Sequence, residues 1–185
     1  MSNTYDFIER VLVTEEEIKA KVHEIGTQIN DTYKNSDKKL LLICILKGSI
    51  VFTSDLMREI TVPMEVDFMQ ASSYGSSTVS CGEVNLRLDL KKQDLDGYNV
   101  LVVEDILDSG KTLSCIMQYL QSKGANDVKL CTLLDKPERR VVDVKLDFAG
   151  IQIPDEFVVG YGLDYDEQFR NLPFVGILKR EVYEK

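Results

Sequence analysis

The sequence predicts an α/β protein with a central, mostly parallel sheet flanked by helices. Residues 40–46 are an unbroken apolar run, which is typical of a parallel strand buried on both faces. A second apolar run, residues 100–103, leads into acidic residues and a short polar turn. Apolar residues then recur at helical spacing at positions 113, 116, 117 and 120. Strands that alternate with helices in this way build a parallel sheet.

Length and charge limit the range of functions. The 185 residues suffice for one domain with a substantial core. There are 22 basic against 31 acidic residues, which gives a formal net charge of −9 and argues against non-specific nucleic-acid binding. Residues 1–10 lack the apolar core of a signal peptide, and no apolar run is long enough to span a membrane. We therefore expect a single cytoplasmic domain with no nucleic-acid or membrane partner.

The four cysteines show no metal-binding spacing. Cys44, Cys81, Cys115 and Cys131 form no CxxC pair, and three of them lie inside apolar segments. Buried free thiols in a reducing cytoplasm are expected rather than a metal site.

The first predicted helix begins at a capping box. Thr14 and Glu17 have the spacing of this motif. One apolar stripe then follows at spacings of three and four, formed by Ile18, Val22, Ile25, Ile29 and Tyr33. His23, the only histidine, neighbours this stripe. It could be a general base, but we favour a partly packed surface histidine.

The strand at residues 40–46 ends at a cation and a glycine, Lys47 and Gly48, before helical spacing resumes over residues 50–60. Ligands of α/β sheets bind beyond the carboxyl ends of the parallel strands. The two residues are therefore expected in the binding crevice, and the alternative is a surface lysine in a tight turn.

The middle of the chain predicts two antiparallel strands joined by a long loop. Residues 65–70 have the pattern of a short strand, and residues 84–90 alternate apolar and polar side chains. The segment between them is small and polar. Such a loop is either disordered or a lid that excludes water from a reaction.

The most informative stretch follows residues 100–103. It consists of Glu104 and Asp105, two apolar residues, and a turn with the sequence Asp108-Ser109-Gly110-Lys111-Thr112. Free N–H groups and the dipole at a helix start favour a phosphate, and the spacing is not that of a Walker P-loop. The acids could hold ribose hydroxyls or a divalent metal, and Asp108 could accept a proton. The alternative is that they only cap the helix.

The C-terminal third supplies a third strand end and a region without helical spacing. Gly124 is expected to end the preceding helix, and a buried strand over residues 128–134 leads to Asp135 and Lys136. Residues 148–165 read as short strands and turns, and residues 174–178 as a last strand. Taken alone, Phe157 among β-branched residues is more often a core side chain than a stacking platform.

Two motifs resemble a known family. Residues 102–113 resemble the phosphoribosyl-pyrophosphate (PRPP) motif of the type I phosphoribosyltransferases. Lys136, residues 153–161, Asp164 and Tyr165 are similar to the base-binding hood of the 6-oxopurine (hypoxanthine-guanine) branch, which the orotate, adenine and uracil enzymes do not share. The resemblance runs from about residue 14 to residue 178.

The resemblance implies a type I phosphoribosyltransferase fold in one domain, residues 1–185. The core would span about residues 35–150, and residues 150–185 would form a small C-terminal hood together with N-terminal residues. A flexible lid would span about residues 72–83 and carry Ser73 and Tyr74. The Leu46-Lys47 peptide is expected to be cis. The resemblance also implies a homodimer or homotetramer.

The implied activity is purine salvage. The 5-phosphoribosyl group of PRPP is transferred, with Mg²⁺, to N9 of hypoxanthine or guanine, which gives IMP or GMP and pyrophosphate. The alternative is a PRPP-sensing regulator that binds nucleic acid. The charge of −9 and the presence of both Asp108 and Lys136 oppose that alternative.

The implied site residues fall into groups by the part of the substrates that they contact. Asp108 is catalytic, at purine N7. PRPP ribose and 5′-phosphate binding is implied for Glu104, Asp105, Asp108, Ser109, Gly110, Lys111 and Thr112. Pyrophosphate binding is implied for Lys47, Gly48 and Arg170. Purine binding is implied for Ile106, Lys136, Phe157, Val158 and Asp164. Magnesium is implied for Glu104, Asp105 and Asp164.

Two positions depart from the family pattern. Ser109 stands where many relatives have threonine, and both side chains supply the hydroxyl. Gly162 stands where some relatives have alanine, and we expect this to loosen the base pocket slightly.

Overall fold

A computed structural model describes residues 4–72, 80, 81, 84–125 and 127–184. Its strands are β1 Ile8–Val13, β2 Lys39–Ile45, β3 Met64–Ser72, β4 Ser80–Cys81, β5 Val84–Leu88, β6 Tyr98–Leu107, β7 Asp127–Asp135, β8 Phe148–Gln152, β9 Val158–Val159 and β10 Val175–Leu178. Its helices are α1 Glu15–Tyr33, α2 Ile50–Glu59, α3 Lys111–Ser122 and α4 Arg180–Tyr183. Short 3-10 turns span Thr4–Phe7 and Pro137–Arg139.

The main sheet has the order β4-β5-β3-β2-β6-β7-β8. The five strands from β3 to β8 in this order are parallel, and β4 and β5 add an antiparallel edge. This confirms the predicted α/β class and its mostly parallel sheet. The antiparallel pairing of β3 with β5 is also as predicted, whereas the two-residue strand β4 was not. Ser73 and Tyr74 of the expected lid lie outside the described residues.

The helices cover both faces of this sheet. Side chains of α1 and α2 pack with Leu40 and Leu42 on one face, and α3 packs with Leu41 and Ile43 on the other. Alternate residues of β2 are thus buried in separate clusters, as expected for a strand with helices on both sides.

Helix α1 has the predicted start and the predicted buried stripe. Glu17 N donates to Thr14 Oγ1 at 3.2 Å and Thr14 N donates to Glu17 Oε2 at 2.8 Å, which completes the capping box. The five residues of the apolar stripe are all buried. His23 is 75% exposed and its Nδ1 lies 2.8 Å from Glu59 Oε2, so the surface interpretation of this histidine is confirmed.

A second, three-stranded antiparallel sheet has the order β1-β10-β9, and we call this sheet the hood. It joins the beginning of the chain to its end. β8 lies in the main sheet, paired with β7, although its last residues, 150–152, were expected in the hood. The reason is that β8 pairs in parallel with β7 and so extends the main sheet, and the chain leaves this sheet only after Gln152.

The expectation of four free thiols is wrong for Cys115, which is disulfide-bonded. Helix α3, which carries Cys115, packs against β4, which carries Cys81, and sequence spacing gave no sign of this proximity. Cys44 and Cys131 are free and buried, as expected. Within the described ranges, no helix combines the length and apolar character that crossing a bilayer requires.

Candidate active site

Three loops meet at one edge of the main sheet, beyond the carboxyl ends of β2, β6 and β7. The chain leaves β2 through α2 to β3 on one side, and β6 and β7 lie on the other side. The region between β2 and β6 is therefore a topological switch point, where ligands of α/β sheets bind. Lys47, Asp108 and Lys136 follow the three strands and meet at this edge, as the sequence predicted.

The turn after β6 is built to leave N–H groups available to an anion. Gly110 precedes α3 with φ 81°, a left-handed conformation that suits glycine. The carbonyl of Ser109 accepts from Val141 N and Val142 N at 3.0 Å, and that of Asp108 accepts from Arg140 Nη1 at 3.2 Å. The first N–H groups of α3 have no intrahelical acceptors, and Lys111 N makes only a long hydrogen bond of 3.5 Å to Ser109 Oγ.

Two half-buried carboxylates, Glu104 and Asp105, lie at the end of β6. Burial raises the pKa of Glu104 well above its ordinary value, and the neighbouring Asp105 charge adds to this effect. Burial likewise raises the pKa of Asp105 to about 6, although a hydrogen bond from Ile106 N at 2.9 Å and the charge of Arg170 oppose the rise. The strand continues past the apolar run to Leu107, so both acids are strand residues rather than loop residues.

This acid pair fits a magnesium ion. Each carboxylate is desolvated and lacks full compensation by positive charge, which a cation would supply. In the part of the chain that the structure describes, no three acidic, histidine or cysteine side chains converge on one metal position. Mg²⁺ does not require such a set, because it commonly binds one or two carboxylates together with substrate phosphates and water.

The loop after β2 has the expected cis peptide between Leu46 and Lys47. Ser49 anchors it by donating to the carbonyl of Ile45 at 2.6 Å. Gly48 lies so close to the Asp105 carboxylate that a Cβ there would collide with it. The lysine loop and the acid pair are therefore in direct contact.

Gly162 lies against this loop and not in the base pocket. With φ 102°, it approaches the carbonyl of Gly48, where a Cβ would overlap the oxygen. The expectation that Gly162 loosens the base pocket is thus not supported by its position. It instead lets the hood pack on the lysine loop.

On the other side of the crevice is a cavity of about 350 Å³. It is lined by residues that the sequence predicted, Ile106, Asp108, Lys136, Phe157 and Val158, and by others that it did not, Arg139, Asp155, Glu156 and Leu163. Asp164, which follows Leu163, does not line the cavity with its side chain, and its carboxylate lies 2.8 Å from Arg170 Nη2.

Lys136 is held inside this cavity. It is 8% exposed, and its ammonium donates to the carbonyl of Glu156 at 2.7 Å. An ammonium has three donors, so others remain for a ligand. Phe157 is 39% exposed, so the interpretation of this ring as a core side chain is wrong. Tyr183 stacks on Phe157 with ring centroids 4.8 Å apart.

Two charged residues of the site were missed by the sequence analysis. Arg139 Nε donates to Asp108 Oδ1 at 2.8 Å, at the mouth of the cavity. Glu167 binds Lys47 and Arg170, and these hydrogen bonds lower its pKa, the one from Lys47 most. The sequence offered one local signal for these contacts, the three-residue spacing of Glu167 and Arg170. The contacts of Arg139 with Asp108 and of Glu167 with Lys47 join distant parts of the chain.

Comparison with known proteins identifies the class. The sequence profile of the phosphoribosyl transferase domain matches residues 12–166, most of the chain. The chain belongs to this family. The matched residues include the motif at residues 102–113 and the strands that form the switch-point crevice.

The similar proteins point to one branch of the family. The chain is 49% identical over 177 residues to the hypoxanthine-guanine phosphoribosyltransferase of Bacillus subtilis, covering 96% of this chain and 97% of the relative. It is 51% identical over 166 residues to the hypoxanthine phosphoribosyltransferase of Salmonella typhimurium, covering 90% and 93%. A crystal structure of a hypoxanthine phosphoribosyltransferase from Staphylococcus aureus superposes with a TM-score of 0.91 at 46% identity, covering 100% and 98%.

Proposed function

We propose that the protein salvages purines by transferring the 5-phosphoribosyl group of PRPP to N9 of hypoxanthine or guanine. The products are IMP or GMP and pyrophosphate. The observation that carries this proposal is that Asp108 and Lys136 line one cavity beside the phosphate-binding turn. Relatives with the corresponding names match nearly the whole chain, which supports the same reaction.

The purine binds in the cavity of about 350 Å³. Lys136 donates to the 6-oxo group, which adenine lacks, so a 6-oxopurine is selected. Phe157 stacks on the purine plane, with Tyr183 against its other face. Ile106 and the backbone of Val158 complete the pocket, and the backbone of Asp164 reaches the pyrimidine edge.

Asp108 takes or shares the proton at N7 as N9 attacks the ribose. In the free protein its carboxylate is paired with Arg139, and both side chains are about half exposed. An exposed ion pair of this kind is worth roughly 0–1 kcal/mol, so a bound purine can replace the arginine without large cost.

PRPP binds along the turn and the acid pair. The 5′-phosphate lies on the N–H groups of residues 108–112, with Ser109 and Thr112 hydroxyls as further donors. Glu104 and Asp105 hold the ribose hydroxyls and the magnesium ion, and Asp164 contacts a second one. Magnesium neutralises charge on the pyrophosphate group.

Lys47, Gly48 and Arg170 stabilise the departing pyrophosphate. The ribose passes through an oxocarbenium-like state with little bonding to either partner, so catalysis depends mainly on position and electrostatics. We propose that residues 72–83, with Ser73 and Tyr74, act as the lid that keeps water from this state.

An absorbance assay tests the reaction. The protein is mixed with PRPP, Mg²⁺ and, in turn, hypoxanthine, guanine, xanthine, adenine and uracil. We expect turnover of hypoxanthine or guanine that EDTA abolishes. No turnover of any base, with PRPP still raising the melting temperature, would overturn the proposal in favour of a PRPP-sensing regulator.

We further propose that the protein is cytoplasmic and forms a homodimer or homotetramer. Exposed apolar side chains on α2 and the adjacent strand, Ile50, Met57 and Phe68, support self-association. Sedimentation velocity should give a mass of two or four chains, and a monomer at micromolar concentration would contradict this. The disulfide at Cys115 would be reduced in a cytoplasmic setting, because glutathione keeps thiols reduced there.

A further inference from the structure

Glu167 occupies the space between the two cations assigned to pyrophosphate. Its two carboxylate oxygens accept from Lys47 Nζ at 2.9 and 3.0 Å, and one of them also accepts from Arg170 Nη2 at 3.2 Å. Lys47 comes from the loop after β2, 120 positions away in the chain from Glu167. One carboxylate thus joins cations that the fold brings from separate regions.

The turn that carries Glu167 is fixed in place. Asp166, Glu167 and Phe169 have positive φ values of 50°, 62° and 74°, and Tyr165 and Gln168 close the turn by backbone hydrogen bonds of 3.0 and 3.3 Å. Glu167 N donates to Asp164 Oδ2 at 2.9 Å. Such left-handed residues persist only where the surroundings determine them. The backbone position of Glu167 is therefore fixed beside Arg170 and Lys47, while its exposed side chain can rotate away from them.

Arg170 is held from a second direction. Its Nη1 donates to the carbonyl of Gly162 at 2.8 Å, so the guanidinium remains in place if Glu167 leaves. Glu167 and Lys47, by contrast, have side chains that are 67% and 52% exposed. Exposed pairs are weak, and an anion with more charge can displace a carboxylate from them.

We propose that Glu167 is a positioning residue that takes the place of pyrophosphate in the free enzyme. It holds Lys47 and Arg170 at the separation that an oxygen anion bridges, and it is displaced when the pyrophosphate group of PRPP binds. It returns as pyrophosphate leaves, which favours product release. This inference rests on the proposed function, because it requires that the two cations bind pyrophosphate.

The test is isothermal titration of Glu167→Gln with PRPP and with inorganic pyrophosphate, each with Mg²⁺. Glutamine keeps the shape but not the charge, so Lys47 loses its carboxylate partner and Arg170 keeps only that of Asp164. We expect both ligands to bind about three- to tenfold more tightly, in keeping with the modest strength of exposed ion pairs. IMP, which has no pyrophosphate group, should bind as it does to the wild type.

Asp166→Asn is the matched control. It removes the same charge from the same turn, at an exposed residue whose side chain contacts neither cation among the described hydrogen bonds and ion pairs. Glu167→Asp should restore affinity toward the wild-type value. Equal affinities of Glu167→Gln and Asp166→Asn for pyrophosphate, or weaker binding by Glu167→Gln, would overturn the inference. Failure of the wild type to bind PRPP or pyrophosphate would overturn the proposed function as well.

Discussion

The two halves of the crevice are organised differently. On the side that we assign to the purine, Lys136 is buried and bonded to a backbone carbonyl, so its position is part of the folded structure. On the side that we assign to pyrophosphate, Lys47 is half exposed and bonded to the carboxylate of Glu167, which we propose to be displaceable. The fold therefore holds Lys136 in place on the purine side. On the pyrophosphate side, an exchangeable ion pair holds Lys47 in place. A neutral base requires a hydrogen-bond donor in a fixed position, whereas a highly charged group can displace a weaker anion.

The largest expected effect is on the chemical step at the purine side. Asp108→Asn keeps the shape of the side chain but removes the proton acceptor, so kcat should fall by about 10²- to 10⁴-fold. PRPP affinity should change little, because the N–H groups of the turn remain. Steady-state kinetics and PRPP titration measure the two quantities. A kcat near the wild-type value would show that Asp108 is not the proton acceptor.

The second-largest effect is expected from removal of Lys136, the fixed hydrogen-bond donor to the purine. Lys136→Ala should lower kcat/KM for hypoxanthine by about 10- to 100-fold, since a buried donor to the substrate is lost. PRPP affinity should stay within about twofold if the two halves are independent. Equal losses for both ligands would show that Lys136 supports the whole crevice rather than the base.

A smaller effect is expected from Gly48→Ala, which places a methyl group against the Asp105 carboxylate. PRPP affinity should fall by roughly tenfold, in line with about 1–3 kcal/mol for overpacking a tight contact. Gly97→Ala is the control, because its Cβ would meet open space although its φ of 87° is unfavourable. It should lower stability without weakening PRPP binding, and matching losses in the two variants would refute a local effect.

The acid pair makes the free protein less stable at high pH. Burial raises the pKa of Asp105 to about 6, so the folded protein binds this proton more tightly than the unfolded chain, and stability falls as pH rises from about 4 to 6. Asp105→Asn should raise the melting temperature at pH 8 by about 2–4 °C per kcal/mol recovered, and have little effect at about pH 4, where Asp105 is largely protonated in the folded protein and half protonated in the unfolded chain. Scanning calorimetry at both pH values measures this. A lower melting temperature of the variant at pH 8 would contradict the desolvation argument.

The smallest effect is expected at His23, outside both halves. His23→Ala removes an exposed pair with Glu59, so stability should change by less than about 0.5 kcal/mol and kcat should not change. A large loss of kcat would restore the histidine as a general base.

Elements that depend on local sequence patterns could be predicted from the sequence, whereas elements that depend on contacts between distant residues could not. The buried runs of β2 and β7 and the stripe of α1 were readable because apolar periodicity is local. The end of β6 was not, because Glu104 and Asp105 interrupt its apolar run, and beyond Val103 the strand pairs with β7 alone among the described strands. Nor was β4, whose two residues carry no pattern.

The site shows the same division. The turn at residues 108–112 and Lys47 were found because strand ends and helix starts mark binding positions. Arg139 and Glu167 were missed because their partners are 31 and 120 positions away in the chain, and nothing local sets those contacts. Asp164 was assigned to the purine through its backbone and to magnesium through its carboxylate, and the contact of that carboxylate with Arg170 had no signal in the motif.

The pairing of β1 with β10 has a consequence for synthesis on the ribosome. Ile8 pairs with Leu178, so β1 has its partner only after residues 175–178 of β10 have been made. The strands of the main sheet, including the phosphate-binding turn, all precede that point in the chain. Domains fold from the N-terminus as they emerge. A nascent chain can therefore acquire its PRPP-binding crevice before its purine pocket, and a truncation of about ten C-terminal residues should leave a sheet without a hood.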